Sequence, residues 1–158
     1  LHGEDYAKRF FANPGESEHH TGCAIDLSVF YAESGLSDDF EAVGRYEWFA
    51  ENAASYGFIL RYPPDKENIT HICSEPWHYR YVGRPHAIYM NENNLCLEEY
   101  LNLLEENHSF EKDHLIIEEE QGRYEVYSCL KDSILVPKER PFSISETNKD
   151  FVVVTVVL

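Results

Sequence analysis

Two short segments carry residue types that bind and use a metal ion, and they constrain the fold more than any other feature of the chain. Residues 17–26 read SEHHTGCAID, and residues 75–78 read EPWH. Neutral imidazole and carboxylate groups are good zinc ligands, and a catalytic zinc ion takes three protein ligands while one position stays open for water. If both segments serve one ion, the fold must bring them side by side.

The residues in these segments can be given separate chemical roles. The candidate zinc ligands are His19, Asp26 and His78. A zinc ion lowers the pKa of a bound water molecule to about 7, which yields hydroxide at neutral pH. A peptidase also needs a carboxylate near that water as a general base, and Glu75 supplies one. The two segments together therefore contain the groups that metal-assisted hydrolysis requires.

The spacing within each segment predicts its local geometry. Gly22 allows the chain to turn before the strand that bears Asp26. Pro76 excludes a regular helix, so the second segment differs from the H-E-x-x-H arrangement in which two histidines share one helix face. Glu75 and His78 would point to opposite sides of an ideal strand. We therefore expect a bend between them that turns both side chains toward the metal.

Both segments also match the motifs of a known family. The pattern S-x-H-x-x-G-x-A-x-D fits residues 17–26, and the pattern E-x-W-H fits residues 75–78. The matched positions are Ser17, His19, Gly22, Ala24, Asp26, Glu75, Trp77 and His78. Over residues 12–104 the chain resembles the VanY-type D-Ala-D-Ala carboxypeptidases. Their zinc fold group also includes D-Ala-D-Ala dipeptidases, lysostaphin-like peptidases and the hedgehog signalling domain.

This resemblance implies a zinc carboxypeptidase that removes a terminal D-alanine from peptidoglycan stem peptides. It assigns one zinc ion per chain to His19, Asp26 and His78. It makes Glu75 the general base. Ser17 is similar to the family serine that lies beside the terminal residue of the substrate, and Trp77 is expected to pack at the metal site. Both residues are candidates for substrate binding.

The chain departs from the family pattern at several places. Family members carry an upstream SGYRS-like stretch, whose arginine helps to hold the substrate carboxylate, and this sequence does not contain it. Because the sequence also starts without methionine, we expect a fragment, with any signal or anchor outside it. Cys23 replaces a residue that is usually aliphatic, and Cys96 stands where a helix cap is usually threonine.

Two classes of alternative function stay open. The first is an enzyme of the same fold group that cleaves a different bond: an L,D-carboxypeptidase, a D-Ala-D-Ala dipeptidase or an endopeptidase. The second is a binding module that holds zinc without catalysis, against which Glu75 argues because a structural site needs no base. Weaker candidates for zinc ligands are His20, Cys23 and Cys73. For the two cysteines the reason is that a closed thiolate site suits structural zinc rather than catalytic zinc.

Charge and composition indicate which partners and which cellular location are favoured for this chain. The formal net charge is −16, which disfavours binding to nucleic acid phosphates or to anionic lipid. The longest apolar run, at residues 152–158, is too short for a membrane span, which takes about 20 residues. The four cysteines form no C-x-x-C pair, and we expect mainly free thiols. An extracytoplasmic domain, at the bacterial surface or secreted, agrees with the charge and with the family.

Hydrophobic periodicity predicts an α+β fold. We expect a central antiparallel sheet with flanking helices in a zinc peptidase core at residues 1–107, and a small β appendage at residues 108–158. In the core, the end of a helix is predicted at residues 1–11, helices at 38–56 and 97–106, and strands at 23–31, 58–62, 69–74 and 78–82. In the appendage, strands are predicted at residues 115–118, 123–130, 142–145 and 151–157.

Overall fold

The computed structural model describes Gly15 and residues 17–158, and the chain divides into two units. The first unit ends at Cys96, and the second begins at Leu97. The helix end predicted at residues 1–11 lies outside the described part of the chain. Each unit has an antiparallel sheet of its own.

The first unit combines short strands with short helices. Its described strands are β1 (Ala24–Asp26), β2 (Ser28–Tyr31), β3 (Leu36–Asp39), β4 (Phe58–Leu60) and β5 (His78–Tyr81). Its described α-helices are α1 (Glu47–Asn52), α2 (Glu67–Thr70) and α3 (Arg84–Glu92). Short 3₁₀ helices cover Glu18–Thr21, Gly44–Tyr46, Ala53–Tyr56 and Pro64–Lys66. The order β1-β5-β4 forms one antiparallel sheet, and β2 pairs with β3 as a separate hairpin.

The central strand of this sheet, β5, brings the two motif segments together. Asp26, at the end of β1, pairs with His78, at the start of β5. Residues directly opposite each other in an antiparallel pair have Cβ atoms about 4.5–5.5 Å apart. The N–H of Leu27 also donates to the carbonyl of Trp77 at 3.0 Å, which extends the contact beyond the strands. The strand pairing therefore places two candidate ligands next to each other.

Aromatic packing anchors the side of β5 that faces away from His78. Tyr79 is 2% exposed, and its ring makes edge contacts with Phe49 and Phe40 at centroid distances of 4.8 Å and 6.5 Å. Such aromatic pairs contribute about 0.5–1.5 kcal/mol beyond the area that they bury. Because successive side chains alternate across a strand, the burial of Tyr79 directs His78 to the opposite face.

A helix precedes four strands in the second unit. These elements are α4 (Leu97–Asn107), β6 (Leu115–Glu119), β7 (Gly122–Leu130), β8 (Phe142–Glu146) and β9 (Phe151–Val157). Neighbours in the order β6-β7-β9-β8 are all antiparallel. On one face, Tyr127 and Cys129 of β7 join an apolar cluster with Val152, Val154 and Val156 of β9. On the other face, the hydroxyl of Ser128 donates to the carbonyl of Leu104 in α4 at 3.0 Å.

The predicted α+β class with antiparallel sheets is confirmed, as are the four strands of the C-terminal part. The division after Cys96 groups α4 with the second unit, and the predicted domain boundary at residue 107 stays a prediction. Within the described residues, no helix is both long and apolar enough to cross a bilayer.

Of two further predictions for the first unit, one is wrong and the other is wrong in part. Residues 69–74 do not form a strand, because α2 continues to Thr70 and His71 ends it with a left-handed φ of 60°. The side chain of Glu67 accepts a hydrogen bond from the N–H of Ser74 at 2.9 Å, which holds the following turn. The helix predicted over residues 38–56 starts later, since its first residues belong to β3.

Besides α2 and β3, the helix α3 and a break in the first predicted strand were not predicted. The helix α3 follows Gly83 and has Pro85 in its first turn, a position at which proline favours a helix start. The strand predicted at residues 23–31 is divided at Leu27 into β1 and β2, which pair with different partners. The sequence signal for α3 was therefore present, whereas the division of the strand depends on tertiary pairing.

Candidate metal centre

The N-terminal motif folds as a short 3₁₀ helix followed by β1. The helix Glu18–Thr21 carries His19, and Gly22 follows it with a φ of 72°. Glycine adopts this left-handed conformation without the Cβ penalty of other residues, so the chain can turn directly into β1. Asp26 occupies the last position of that strand. His19 and Asp26 thereby approach each other, with Nε2 and Oδ2 3.4 Å apart.

The second motif forms a tight turn that leads into β5. The N–H of His78 donates to the carbonyl of Glu75 at 3.1 Å, and the N–H of Glu75 donates to the carbonyl of Tyr62 at 3.1 Å. Pro76 and Trp77 occupy the corner of the turn, which is the bend that the sequence spacing requires. The turn places Oε2 of Glu75 3.3 Å from Nδ1 of His78.

The three candidate ligands converge on one point. His19, Asp26 and His78 each offer one ligand atom, and these atoms all lie within 4.8 Å of one another. Nδ1 of His78 lies 3.1 Å from Oδ1 of Asp26. Ligands bonded to tetrahedral zinc at about 2.0–2.1 Å lie about 3.3 Å apart, so small side-chain shifts suffice for the cluster to fit the ion. Two imidazoles and a carboxylate also match the donor set of catalytic zinc sites.

The centre is open on one side and closed on the other. The side chains of His19 and Asp26 are 39% and 53% exposed. Those of His78 and Glu75 are only 7% and 8% exposed. A catalytic zinc site needs one position that water or substrate can reach. The exposed pair provides such access, and the carboxylate of Glu75 forms part of the protected floor.

Glu18, at a variable position of the first motif, also contacts the candidate centre. Its Oε1 accepts a hydrogen bond from Nε2 of His78 at 2.7 Å. Its Oε2 lies 3.3 Å from Nε of Arg61 and 2.9 Å from Nη1 of Arg80. Sequence reasoning misses this residue because its partners lie 43 to 62 residues further along the chain. The one available signal is an acidic side chain next to His19.

The charges around His78 and Glu18 shift the titration of both groups. Burial alone raises the pKa of Glu18, but the hydrogen bond from His78 and two guanidinium charges outweigh it and lower this pKa to about 2. Burial alone lowers the pKa of His78, but hydrogen bonds to Glu18 and Glu75 and nearby carboxylate charges outweigh it and raise this pKa to about 9. Metal binding has to displace the proton, because only neutral imidazole offers a lone pair.

The other residues that the motifs single out have separate environments. Ser17 is half-buried directly before the 3₁₀ helix, and Trp77 packs against the apolar cluster behind β5. Their role in substrate binding stays a prediction. Among the residues that the structure describes, His20, Cys23 and Cys73 lie outside the cluster of three ligands. All four cysteines are free, so the prediction of mainly free thiols is confirmed.

Known proteins resemble this chain in both sequence and fold. A family model described as VanY, D-alanyl-D-alanine carboxypeptidase, matches residues 1–84. A D-alanyl-D-alanine carboxypeptidase of Enterococcus faecium is 40% identical over 145 residues, which are 90% of this chain and 44% of that protein. The chain spans between 34% and 55% of the length of the curated relatives that it matches.

Two solved structures extend this similarity. The vancomycin-resistance D,D-dipeptidase VanXYg, solved with a D-Ala-D-Ala phosphinate analogue, has a TM-score of 0.86 and 37% identity, over 99% of this chain and 64% of that one. A variant of a VanY D,D-pentapeptidase, solved with Zn(II), has a TM-score of 0.50 and 44% identity, over 61% of this chain and 51% of that one. The family model covers 84 of the 158 residues of this chain, and the chain therefore belongs to the VanY family of D-alanyl-D-alanine carboxypeptidases.

Proposed function

We propose that this chain is the catalytic part of a zinc-dependent carboxypeptidase that removes a terminal D-alanine from peptidoglycan stem peptides. The observation that carries the proposal is the convergence of three metal-ligand side chains with the buried carboxylate of Glu75. Hydrolysis of a peptide bond at a metal needs these parts: an ion held with one open position, and a proton acceptor beside it. Family membership supplies the class of substrate.

In this proposal one zinc ion is held by His19, Asp26 and His78. When bound, zinc supplies Lewis acidity, which polarises a carbonyl and lowers the pKa of water to about 7. The related VanY variant was solved with Zn(II), which supports the choice of metal. His78 contributes Nδ1, because its Nε2 already donates to Glu18. The three side chains carry one negative charge, that of Asp26, so the ion keeps a net positive charge toward the substrate.

Glu75 acts as the general base. Its Oε2 lies 3.3 Å from Nδ1 of His78, the atom assigned to the metal, and is therefore close to where the attacking water is needed. The carboxylate takes a proton from this water and delivers it to the amine of the departing D-alanine. Because the side chain of Glu75 is 8% exposed, few solvent molecules compete for the transferred proton.

The preference for D-alanine is inferred from relatives. The protein of Enterococcus faecium is a D-alanyl-D-alanine carboxypeptidase, and VanXYg was solved with a D-Ala-D-Ala phosphinate analogue. In this chain the peptide would approach the exposed side of the centre, beside His19 and Asp26. Ser17, directly before the ligand-bearing helix, is proposed to contact the substrate. Trp77 lies at the corner of the turn that carries Glu75 and packs behind β5, so we propose that it shapes the substrate site by holding this turn.

A D-Ala-D-Ala dipeptidase is the second candidate. VanXYg, which is named a D,D-dipeptidase, matches 99% of this chain, whereas the VanY variant matches 61%. The greater coverage includes the second unit, which the carboxypeptidase of Enterococcus faecium also matches over 90% of this chain, so the C-terminal sheet separates this chain from neither function. A dipeptidase cleaves the free dipeptide, and a carboxypeptidase cleaves the longer stem. The two functions can therefore be distinguished by the length of the preferred substrate.

The proposed activity is placed outside the cytoplasm. Stem peptides that are part of the cell wall lie beyond the membrane, so an enzyme that trims them must reach that side. The net charge of −16 disfavours attachment to anionic lipid by the chain's own surface. Secretion and surface anchoring are both compatible with this location.

Digestion of synthetic stem peptides by the full-length protein tests the proposal. A pentapeptide ending in D-Ala-D-Ala, a tetrapeptide ending in L-Lys-D-Ala and free D-Ala-D-Ala are incubated separately, and the products are followed by mass spectrometry. We expect loss of a single D-alanine from the pentapeptide, inhibition by a zinc chelator and recovery when zinc is added. Preferred cleavage of the dipeptide supports the second candidate, and preferred cleavage of the tetrapeptide indicates an L,D-carboxypeptidase. Zinc binding without cleavage of any peptide indicates a binding module.

A further inference from the structure

Glu18 links the two segments that carry the proposed ligands. It is the chain neighbour of His19 and lies in the same 3₁₀ helix. Its Oε1 accepts a hydrogen bond from Nε2 of His78, the first residue of β5, at 2.7 Å. Through its carboxylate, Glu18 therefore connects the helix that carries His19 to the strand that begins with His78.

The hydrogen bond between His78 and Glu18 decides which imidazole nitrogen is free. An ionised carboxylate can only accept, so Nε2 of His78 carries the hydrogen. The lone pair of a neutral imidazole is then on Nδ1, which lies 3.1 Å from Asp26 and 3.3 Å from Glu75. In metal sites the second nitrogen of a ligating histidine commonly donates to a carboxylate, which fixes the tautomer and makes the ligand nitrogen more basic.

Two arginines contact the other oxygen of the Glu18 carboxylate. Nη1 of Arg80 lies 2.9 Å from Oε2, and Nε of Arg61 lies 3.3 Å from the same oxygen. Arg80 lies two residues after His78 in β5, so both side chains project from one face of the strand. The backbone N–H of Arg61 donates to the carbonyl of His78 at 3.0 Å. Both oxygens of Glu18 are therefore engaged by groups fixed to the sheet.

We propose that Glu18 is a positioning residue that orients His78 for the metal ion. The inference rests on the proposed zinc site, in which His78 is a ligand. Glu18 acts through the Nε2–H group, and it keeps the ring in the orientation that directs Nδ1 to the centre. The side chain of Glu18 is 16% exposed, so water competes little for these bonds. Because Arg61 and Arg80 also engage it, Glu18 is held away from the role of a fourth ligand, and the open position is preserved.

Zinc affinity, measured by competition with a chromophoric chelator, tests this role in the full-length protein. Glu18→Gln keeps the size and one acceptor oxygen but removes the charge, and Glu18→Ala removes both. We expect the dissociation constant for zinc to rise by about 10-fold in the first variant and by up to about 100-fold in the second. The matched control is Glu125→Gln, because Glu125 forms a similar pair with His114 at 2.7 Å in the second unit. This control should leave the affinity unchanged.

A second readout separates positioning from a general loss of structure. In the zinc-loaded protein, the proton on Nε2 of His78 should give a downfield NMR signal because it is hydrogen-bonded to a carboxylate. Glu18→Gln should move this signal upfield, while Glu125→Gln leaves it in place. If both Glu18 variants fold and bind zinc within about twofold of the parent, the positioning role is refuted although the zinc site stands. If the parent itself binds no zinc, the proposed function fails, and the role of Glu18 fails with it.

Discussion

Replacement of Glu75 by glutamine removes the proposed base with little change in shape. The amide has nearly the volume of the carboxylate and keeps one acceptor oxygen, so the buried position beside His78 stays filled. The backbone bonds of Glu75 to Tyr62 and His78 do not involve its side chain. Glu75 is also not a proposed ligand. We therefore expect the variant to fold and to bind zinc as the parent does.

The expected loss of activity follows from the burial of this carboxylate. A positioned general base contributes about 10²- to 10⁴-fold to the rate, or about 2.7–5.4 kcal/mol at 1.36 kcal/mol per factor of ten. Solvent can partly replace an exposed base, but the side chain of Glu75 is 8% exposed. We therefore expect the upper part of that range, about 10³- to 10⁴-fold in kcat.

The assay compares kcat for release of D-alanine from the pentapeptide, together with the zinc content of each protein. Glu125→Gln serves as the control, since this glutamate lies in the second unit and pairs with His114. It should keep both kcat and zinc. If the Glu75 variant binds zinc and cleaves the stem as fast as the parent, Glu75 is not the base. If it loses zinc, Glu75 is a ligand instead.

Three further residues of the first unit, Cys23, Gly57 and His78, lead to predictions. Cys23→Ala should retain one zinc ion per chain in elemental analysis, because the thiol donates to the carbonyl of Thr21 and lies outside the ligand cluster; loss of zinc from the folded variant would make Cys23 a ligand. Gly57→Ala should lower the free energy of unfolding by about 2 kcal/mol or more in urea titrations, since its φ is 85° and a Cβ would lie 2.7 Å from Cε2 of Tyr81. In the metal-free protein, the raised pKa of His78 adds stability that is complete below pH 6.5 and is lost as the pH rises through about 9. Urea titrations with a chelator present should show this decrease, and a flat profile would contradict the assigned ion pairs.

The parts of this molecule that local patterns could predict are those in which neighbours in sequence decide the outcome. The strands of the second unit carry alternating or wholly apolar runs between turns, and each was predicted close to its observed bounds. Gly22 was expected to turn the chain before Asp26, and it does so with a positive φ. The convergence of His78 with His19 and Asp26 is a long-range contact, and it was anticipated from the ligand chemistry and the family motifs of the two segments rather than from a local pattern.

The features that sequence reasoning missed depend on partners distant along the chain. Glu18 was indistinguishable from a solvated acid until Arg61, His78 and Arg80 were seen around it. Residues 36–39 have no strong strand pattern, and they form β3 because the returning hairpin pairs them with β2. Tertiary contacts of this kind override local preference, which is a weak term in comparison.

The pairing of Asp26 with His78 across β1 and β5 has a consequence for folding of the sheet. A shift of this pair by one residue would move Asp26 to the opposite face, because side chains alternate along a strand. β1 has only three residues, so few backbone hydrogen bonds define its alignment. The proposed zinc ion can bind both side chains only in the native alignment. Zinc present during refolding would therefore act as a template that selects this strand register over its slipped competitors.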